Sequence, residues 1–270
     1  MRTRDAAGAP ATVRRGRKNP PESSADSAQT ERIQKRIAAS GFCSRRQAEA
    51  LIAAGRVAVN GVVVDRLGSK VGPQDVVSVD GKPLPSAELV FLAMNKPKGF
   101  VTTVSDPHAE RTVMELLPEL KAAVKPVGRL DKDTEGLLLF ANDGELIHRL
   151  THPRYGVEKE YEVEAKGHVS DSALARLEAG VVVEGSKTAP ARIPRKSVRR
   201  KAGKTALRIV VHEGRKRQVR LMFEAIGHPV AKLRRVRFGP LLLHRLPRGA
   251  CRMLSRVEVD SLYKAVGLRA

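Results

Sequence analysis

The chain has 270 residues, with 50 Lys and Arg against 29 Asp and Glu and a formal net charge of +21. That length allows two domains with one sizeable core, and the charge calls for a polyanionic partner, nucleic acid first. The two cysteines, Cys43 and Cys251, give neither a disulfide framework nor metal-ligand spacing; no signal peptide or membrane-length apolar run is legible, and the chain reads as a cytoplasmic monomer.

Residues 1–30 are Arg, Pro, Ala, Ser and Gly with few large apolar side chains, and read as a disordered basic tail. Residues 31–84 read as a small compact module. Ile33 and Ile37 share a face of a first helix that ends near Gly41. Ser44 offers an N-cap with Gln47 in the capping-box place, and Ala48, Leu51 and Ile52 form the buried face of a second helix that Gly55 ends. Asn60-Gly61 is a strong hairpin signal between Arg56–Val59 and Val62–Val64, and Val76–Val79 before Asp80-Gly81 is another strand. Arg45 and Arg46 fall in the first turn of the second helix, where positive charge opposes the macrodipole unless a phosphate docks there. The module, two helices plus a β-hairpin, is similar to the S4 RNA-binding domain.

Gly81–Glu88 has linker composition, with residues 85–88 as the boundary. Residues 89–270 mix strands and helices without βα alternation. Strands are expected at Val90–Met94, Phe100–Val104, Leu137–Phe140, Glu160–Ala165, Val181–Glu184, Leu207–Val211 and Arg235–Phe238. Helices are expected at Val113–Leu117, Gly144–Leu150, Asp171–Ala179, Arg215–Ile226 and Val257–Val266. The mixture predicts an α+β fold on a largely antiparallel mixed sheet with flanking helices. His148 and His152 are four apart, but no third ligand stands nearby, so no metal site is expected.

Three segments carry chemistry. Gly128-Arg129-Leu130-Asp131 sets one carboxylate in a polar turn ahead of a buried strand, either to cap the turn or to present an acid on rigid elements. Lys159-Glu160-Tyr161 opens a strand with one of only three tyrosines, either a core tyrosine or a functional aromatic. Arg215-Lys216-Arg217-Gln218-Val219-Arg220 puts three cations into the first turn of an amphipathic helix, a broken local rule that RNA phosphate on Arg215 and Arg217 would satisfy. Arg220 stands ready to pair with Asp131. A fourth segment, Lys232–Gly239, alternates arginines with apolar residues, including Leu233. Residues 192–256 hold 20 Lys and Arg against Glu213 and Glu224 alone.

Taken in order, these motifs resemble those of the RNA pseudouridine synthases typified by small-subunit synthase A and large-subunit synthases B, E and F. Asn95-Lys96-Pro97-Lys98-Gly99, Ser105-Asp106-Pro107 and Leu246-Pro247-Arg248-Gly249 point within that family to the B-type branch. The resemblance implies that Asp131 is the essential catalytic residue, as nucleophile at C1′ or as a base on the sugar. It implies that Arg220 holds Asp131, that Tyr161 stacks on the uracil and accepts a proton, and that Leu233 packs beside it. Leu221 stands where many relatives carry a second arginine. Arg129 is a candidate wedge for the space the flipped base leaves, and Lys159 a substrate contact. The implied reaction is isomerisation of a uridine in ribosomal RNA, 23S first, with no cofactor or metal. The rivals are a non-catalytic S4-domain ribosome-assembly protein, which would not need Asp131, Tyr161 and Arg220 together, and a nuclease, which would need acidic clusters for two metals.

Overall fold

The computed structural model describes residues 30–85, 88–120 and 123–269. The tail read as disordered falls outside these residues, as do residues 86 and 87 of the linker.

The small module comprises β1 (Glu31–Arg32), α1 (Ile33–Ala39), α2 (Arg45–Ala53), β2 (Val57–Val59), β3 (Val62–Val63), β4 (Lys70–Val71), β5 (Val77–Val79) and β6 (Lys82–Pro83). Both halves of the Ser44/Gln47 capping box form. Asn60-Gly61 and Asp80-Gly81 each take two consecutive positive φ values, the backbone of tight hairpin turns. The second turn folds β6 back on β5, so residues 82 and 83, read as linker, complete the sheet in order β3-β2-β5-β6. Ile33, Ile37, Ala48 and Ile52 bury against Val57, Val77 and Val79, and Leu84 packs on that core. The Lys35 ammonium reaches Glu145 of the large domain at 3.2 Å.

The large domain carries β7 (Phe91–Lys96), β8 (Lys125–Val127), β9 (Glu135–Ala141), α3 (Gly144–Thr151), β10 (Lys159–Lys166), α4 (Asp171–Ala179), β11 (Val182–Val183), β12 (Ser186–Lys187), β13 (Arg199–Lys201), β14 (Lys204–Val211), α5 (Gln218–Ala225), β15 (Val230–Phe238), β16 (Leu241–Leu242), β17 (Cys251–Met253) and α6 (Arg256–Ala265). Its main sheet runs β13-β14-β10-β15-β9-β7-β17, with β16 on β15 and β8 on β9. The pairings within each half are antiparallel. The halves meet at one short parallel seam, Arg234 opposite Glu135 and Arg235 opposite Gly136. Beyond the seam β9 turns to pair with β8, so the sheet divides. Helices α4 and α5 cover one face of the β10-β14-β15 half. The β7-β9 half is buried on both faces, which explains its continuous apolar runs.

Three expected elements differ. Val113–Leu117 forms only a short 3₁₀ helix over Val113–Leu116. Phe100–Val104 forms no strand: Val101 makes an isolated bridge to Thr112, while the Thr102 side chain is committed to Leu130. The helix expected from Arg215 begins at Gln218, because Arg217 takes the left-handed conformation at φ 54° and caps it.

The seam requires glycine at position 136. Its φ is +108°, and a Cβ there would sit 2.2 Å from the carbonyl oxygen of Arg235. Gly136→Ala should therefore cost on the order of 3–4 kcal/mol, among the largest single-residue effects, read as a lower denaturant midpoint. Retention of wild-type stability would show that the two halves do not depend on this approach.

Candidate active site

The dividing sheet leaves a pocket of about 480 Å³, of the size small-molecule sites occupy. One wall is the loop between β8 and β9, residues 128–134. The other is formed by β10, β15 and the segment leading into α5.

The loop is held by its own backbone. Leu130 is buried, and its carbonyl accepts from the Thr102 hydroxyl at 2.7 Å. Lys96 ends β7 with 0% exposure. Its ammonium donates to the carbonyls of Asp131 (3.1 Å), Thr134 (2.9 Å), Pro97 (3.1 Å) and, at 3.4 Å, Lys132. The Lys132 carbonyl also accepts from the Gly99 amide, and that of Asp133 from the Arg220 guanidinium at 2.9 Å. Five consecutive carbonyls, 130 to 134, thus have donors. Burial pushes the Lys96 ammonium down to about 8, against the opposing pull of Asp131, Asp133 and Glu135. The result is a rigid loop with the half-buried Asp131 on the pocket wall and the exposed Arg129 at its rim.

Opposite Asp131 stand Lys159 and Tyr161, two residues apart on β10 and so on one face. A register shift against β15 between Glu160 and Tyr161 interrupts the regular ladder where this wall turns to the cleft. The Tyr161 ring is half-buried between two core clusters. Leu233 is buried beside it. Lys159 is also buried; its ammonium donates to the His212 carbonyl at 3.2 Å, and burial first, then Arg235, lowers its pKa to about 8.

Several expected site residues sit differently. Arg220 makes no ion pair with Asp131 among the described residues; it donates instead to the backbone of Asp133 and Val230, so it braces the loop and not the carboxylate. Arg215, Lys216 and Arg217 precede α5 and do not crowd its first turn. Arg215 is used by the fold, donating to the Lys187 carbonyl at 2.8 Å and pairing with Glu213 at 3.2 Å. Arg217 stays exposed on the pocket rim. Arg45 and Arg46 are exposed on α2 in the small module, and Arg45 lines the cleft facing Gly144, away from the pocket.

Two pocket residues, Thr134 and Arg235, and Lys96 buried behind the loop were not singled out by the sequence. Lys96 had a visible signal, a lone charge ending the apolar run Phe91-Leu92-Ala93-Met94. Arg235 looked like one arginine among many. Among the described residues no group of three His, Cys, Asp or Glu is placed to hold a metal ion, and no helix is long and apolar enough to cross a membrane.

Comparison with known proteins matches residues 90–225 to the RNA pseudouridylate synthase family and residues 31–77 to the S4 domain. The chain is 42% identical over 232 residues to ribosomal large subunit pseudouridine synthase B of Bacillus subtilis (strain 168), covering 86% of this chain and 95% of that protein. It is 42% identical over 240 residues to an RNA pseudouridine synthase of Aquifex aeolicus (strain VF5), covering 88% and 96%. A crystal structure of pseudouridylate synthase superposes with a TM-score of 0.61 at 29% identity, covering 86% of this chain and 99% of that one.

The loop's dependence on Lys96 is open to measurement. Lys96→Met fills the same space but leaves the Pro97 and Thr134 carbonyls without a donor. It should lower stability by about 3 kcal/mol, the low end of the cost of breaking a buried charged interaction, read by chemical denaturation. An unchanged midpoint would mean that the amide donors and Arg220 suffice.

Proposed function

We infer that this chain, which belongs to the RNA pseudouridylate synthase family, isomerises a uridine of ribosomal RNA, and that the large-subunit RNA supplies it. The observation that carries the reading is the tethered loop: one carboxylate, Asp131, held by its backbone across a nucleoside-sized pocket from Tyr161 and Leu233. The B-type synthase of Bacillus subtilis supports the large-subunit assignment. The alternative of a non-catalytic assembly factor gives no reason to fix one acid so firmly.

The reaction breaks the N1–C1′ bond, turns the uracil and rejoins it through C5. The net change of bonds lies within one nucleotide, so the reaction consumes no water and no reductant. The target atom is hidden in a base stack, so the uridine must be flipped into the pocket, with Arg129 at the rim suited to occupy the space it leaves. Asp131 acts at the sugar, as nucleophile on C1′ or as base on a sugar proton. Tyr161 supplies a face for the uracil and a hydroxyl for the C5 proton. Arg220 is a positioning residue, acting through the Asp133 carbonyl. The small module and the exposed cations Arg46, Lys216 and Arg217 bring phosphate contacts, which add affinity without reading sequence. This work belongs in the cytoplasm with the RNA, and the protein performs it as a monomer.

Chemical mapping of pseudouridine in a ribosomal RNA transcript after incubation with the purified protein tests the reading directly. Asp131→Asn should abolish product and leave RNA affinity nearly unchanged, since one charge in +21 matters little to binding. A variant keeping a tenth of wild-type turnover would remove Asp131 from the chemistry. Tyr161→Phe should slow turnover by roughly 10²–10⁴-fold as the hydroxyl is lost. If the Phe variant matches wild type and Tyr161→Leu is dead, the ring acts by stacking alone.

A further inference from the structure

The pocket holds two buried cations without anions. Arg235 is 2% exposed and Lys159 6% exposed. The Arg235 Nε donates across the seam to the Leu137 carbonyl at 2.7 Å, but its Nη2, equally buried, has no partner among the described residues. The Lys159 ammonium has one acceptor, the His212 carbonyl. Both cations lie against the same ring, at 5.0 Å (Arg235) and 5.7 Å (Lys159) from the centre of Phe238. Neither pairs with a carboxylate within 4 Å among the described residues, although the half-buried Arg237 on the strand of Arg235 engages both Glu158 and Glu160. The Thr134 hydroxyl, on the opposite wall, is also buried and unpartnered. An uncompensated buried charge and an unmade buried hydrogen bond both destabilise a fold. Such costs gathered in one pocket mark a place completed by a ligand.

The charge balance of the reaction identifies that ligand. When C1′–N1 breaks, its electron pair stays on N1. If Asp131 attacks C1′, its carboxylate becomes a neutral ester and the uracil departs carrying the negative charge. If Asp131 instead removes the 2′ proton, it becomes a neutral acid, the sugar gains a C1′–C2′ double bond, and the uracil again carries the charge. On either route one negative charge moves from Asp131 to the base. It returns when C5 bonds C1′: the ester carboxylate is expelled, or the acid gives its proton back to C2′. The C5 proton then leaves and N1 is protonated, so atoms and charge close.

We propose that Lys159 and Arg235, with the Thr134 hydroxyl, form an anion subsite that holds the detached uracil while it carries this charge. Preorganised donors in a site closed to water are worth most where charge develops. An ammonium is a compact point charge with rotatable donors, suited to a ring that must turn while bound. The role differs from those of Asp131 and Tyr161, which act on the sugar and on C5.

The inference rests on the isomerase reading, and the test separates the two. Single-turnover loss of the target N-nucleoside is followed in RNA carrying uridine or 5-fluorouridine at that position, for wild type, Lys159→Gln and Arg235→Gln. Fluorine stabilises the departing anion and so reduces what the subsite must supply. Each variant should slow uridine by about 10²–10³-fold, the effect of removing one oxyanion donor, and should slow 5-fluorouridine at least tenfold less. Equal slowing of both substrates would overturn the subsite, since a merely structural defect does not sense the leaving group. If Arg235→Gln loses its thermal transition through the seam, Lys159→Gln decides alone, because its side chain holds only the His212 carbonyl. A wild type that converts neither RNA would take down the isomerase reading itself.

Discussion

A loop that presents a reactive side chain has to be stiff, yet a loop has no neighbouring strand to satisfy its peptide groups. Here the difficulty is met with one buried ammonium. Lys96 sits at the end of a fully buried strand and reaches the backbone carbonyls of Asp131, Lys132 and Thr134. Its charge is costly to bury, and burial lowers its pKa to about 8. The carbonyl cluster offsets that cost and is in turn ordered by it. The Thr102 hydroxyl, the Gly99 amide and the Arg220 guanidinium complete the set. Because all these groups bind backbone, none of them occupies the Asp131 carboxylate.

The same economy governs the seam. A pocket at a dividing sheet needs strands that meet and then part. The β9–β15 pairing lasts two residues, and Gly136 allows the closest approach. Where the strands diverge, Arg235 spans the gap with its side chain, donating to the Leu137 carbonyl. The residue that closes the sheet is therefore also the one that charges the pocket. A smaller or neutral side chain at 235 would change fold and site together, which is why leaving-group sensitivity, and not rate alone, separates its two roles.

Much of this was legible in the sequence, for identifiable reasons. Local chemistry fixes the capping box at Ser44, the turns at Asn60-Gly61 and Asp80-Gly81, and the bounds of Asp171–Ala179, because each depends on residues a few positions apart. Asp131, Lys159, Tyr161, Leu233 and Arg129 do line one pocket. What was hidden depends on partners distant in the chain. Nothing in the spacing of Arg235 reveals that it lies opposite Gly136. Arg215 looked free for phosphate because its acceptors are the carbonyls of Ser186 and Lys187 on β12, nearly thirty positions away. Arg217 broke the helix expectation because a left-handed residue there ends the preceding loop, a conformation that composition does not announce.

Net charge was the coarsest of these guides. The excess between residues 192 and 256 suggested that this region supplies several phosphate contacts, but the fold pairs part of it internally. On the outward face of β10, Glu160, Glu162 and Glu164 neutralise Arg237, Arg208 and Lys204, each pair within about 3 Å. Glu178 and Asp171 take Arg195 and Arg200. Exposed pairs of this kind add little stability, but they remove those cations from the count available to RNA. Among the described residues Lys216 and Arg217 at the pocket rim, and Lys159 and Arg235 within it, pair with no carboxylate; Lys196, Arg199 and Arg234, near those glutamates, pair with none either. Glutamates placed along one strand thus neutralise part of the cationic excess, while the pocket and its rim keep cations without a carboxylate.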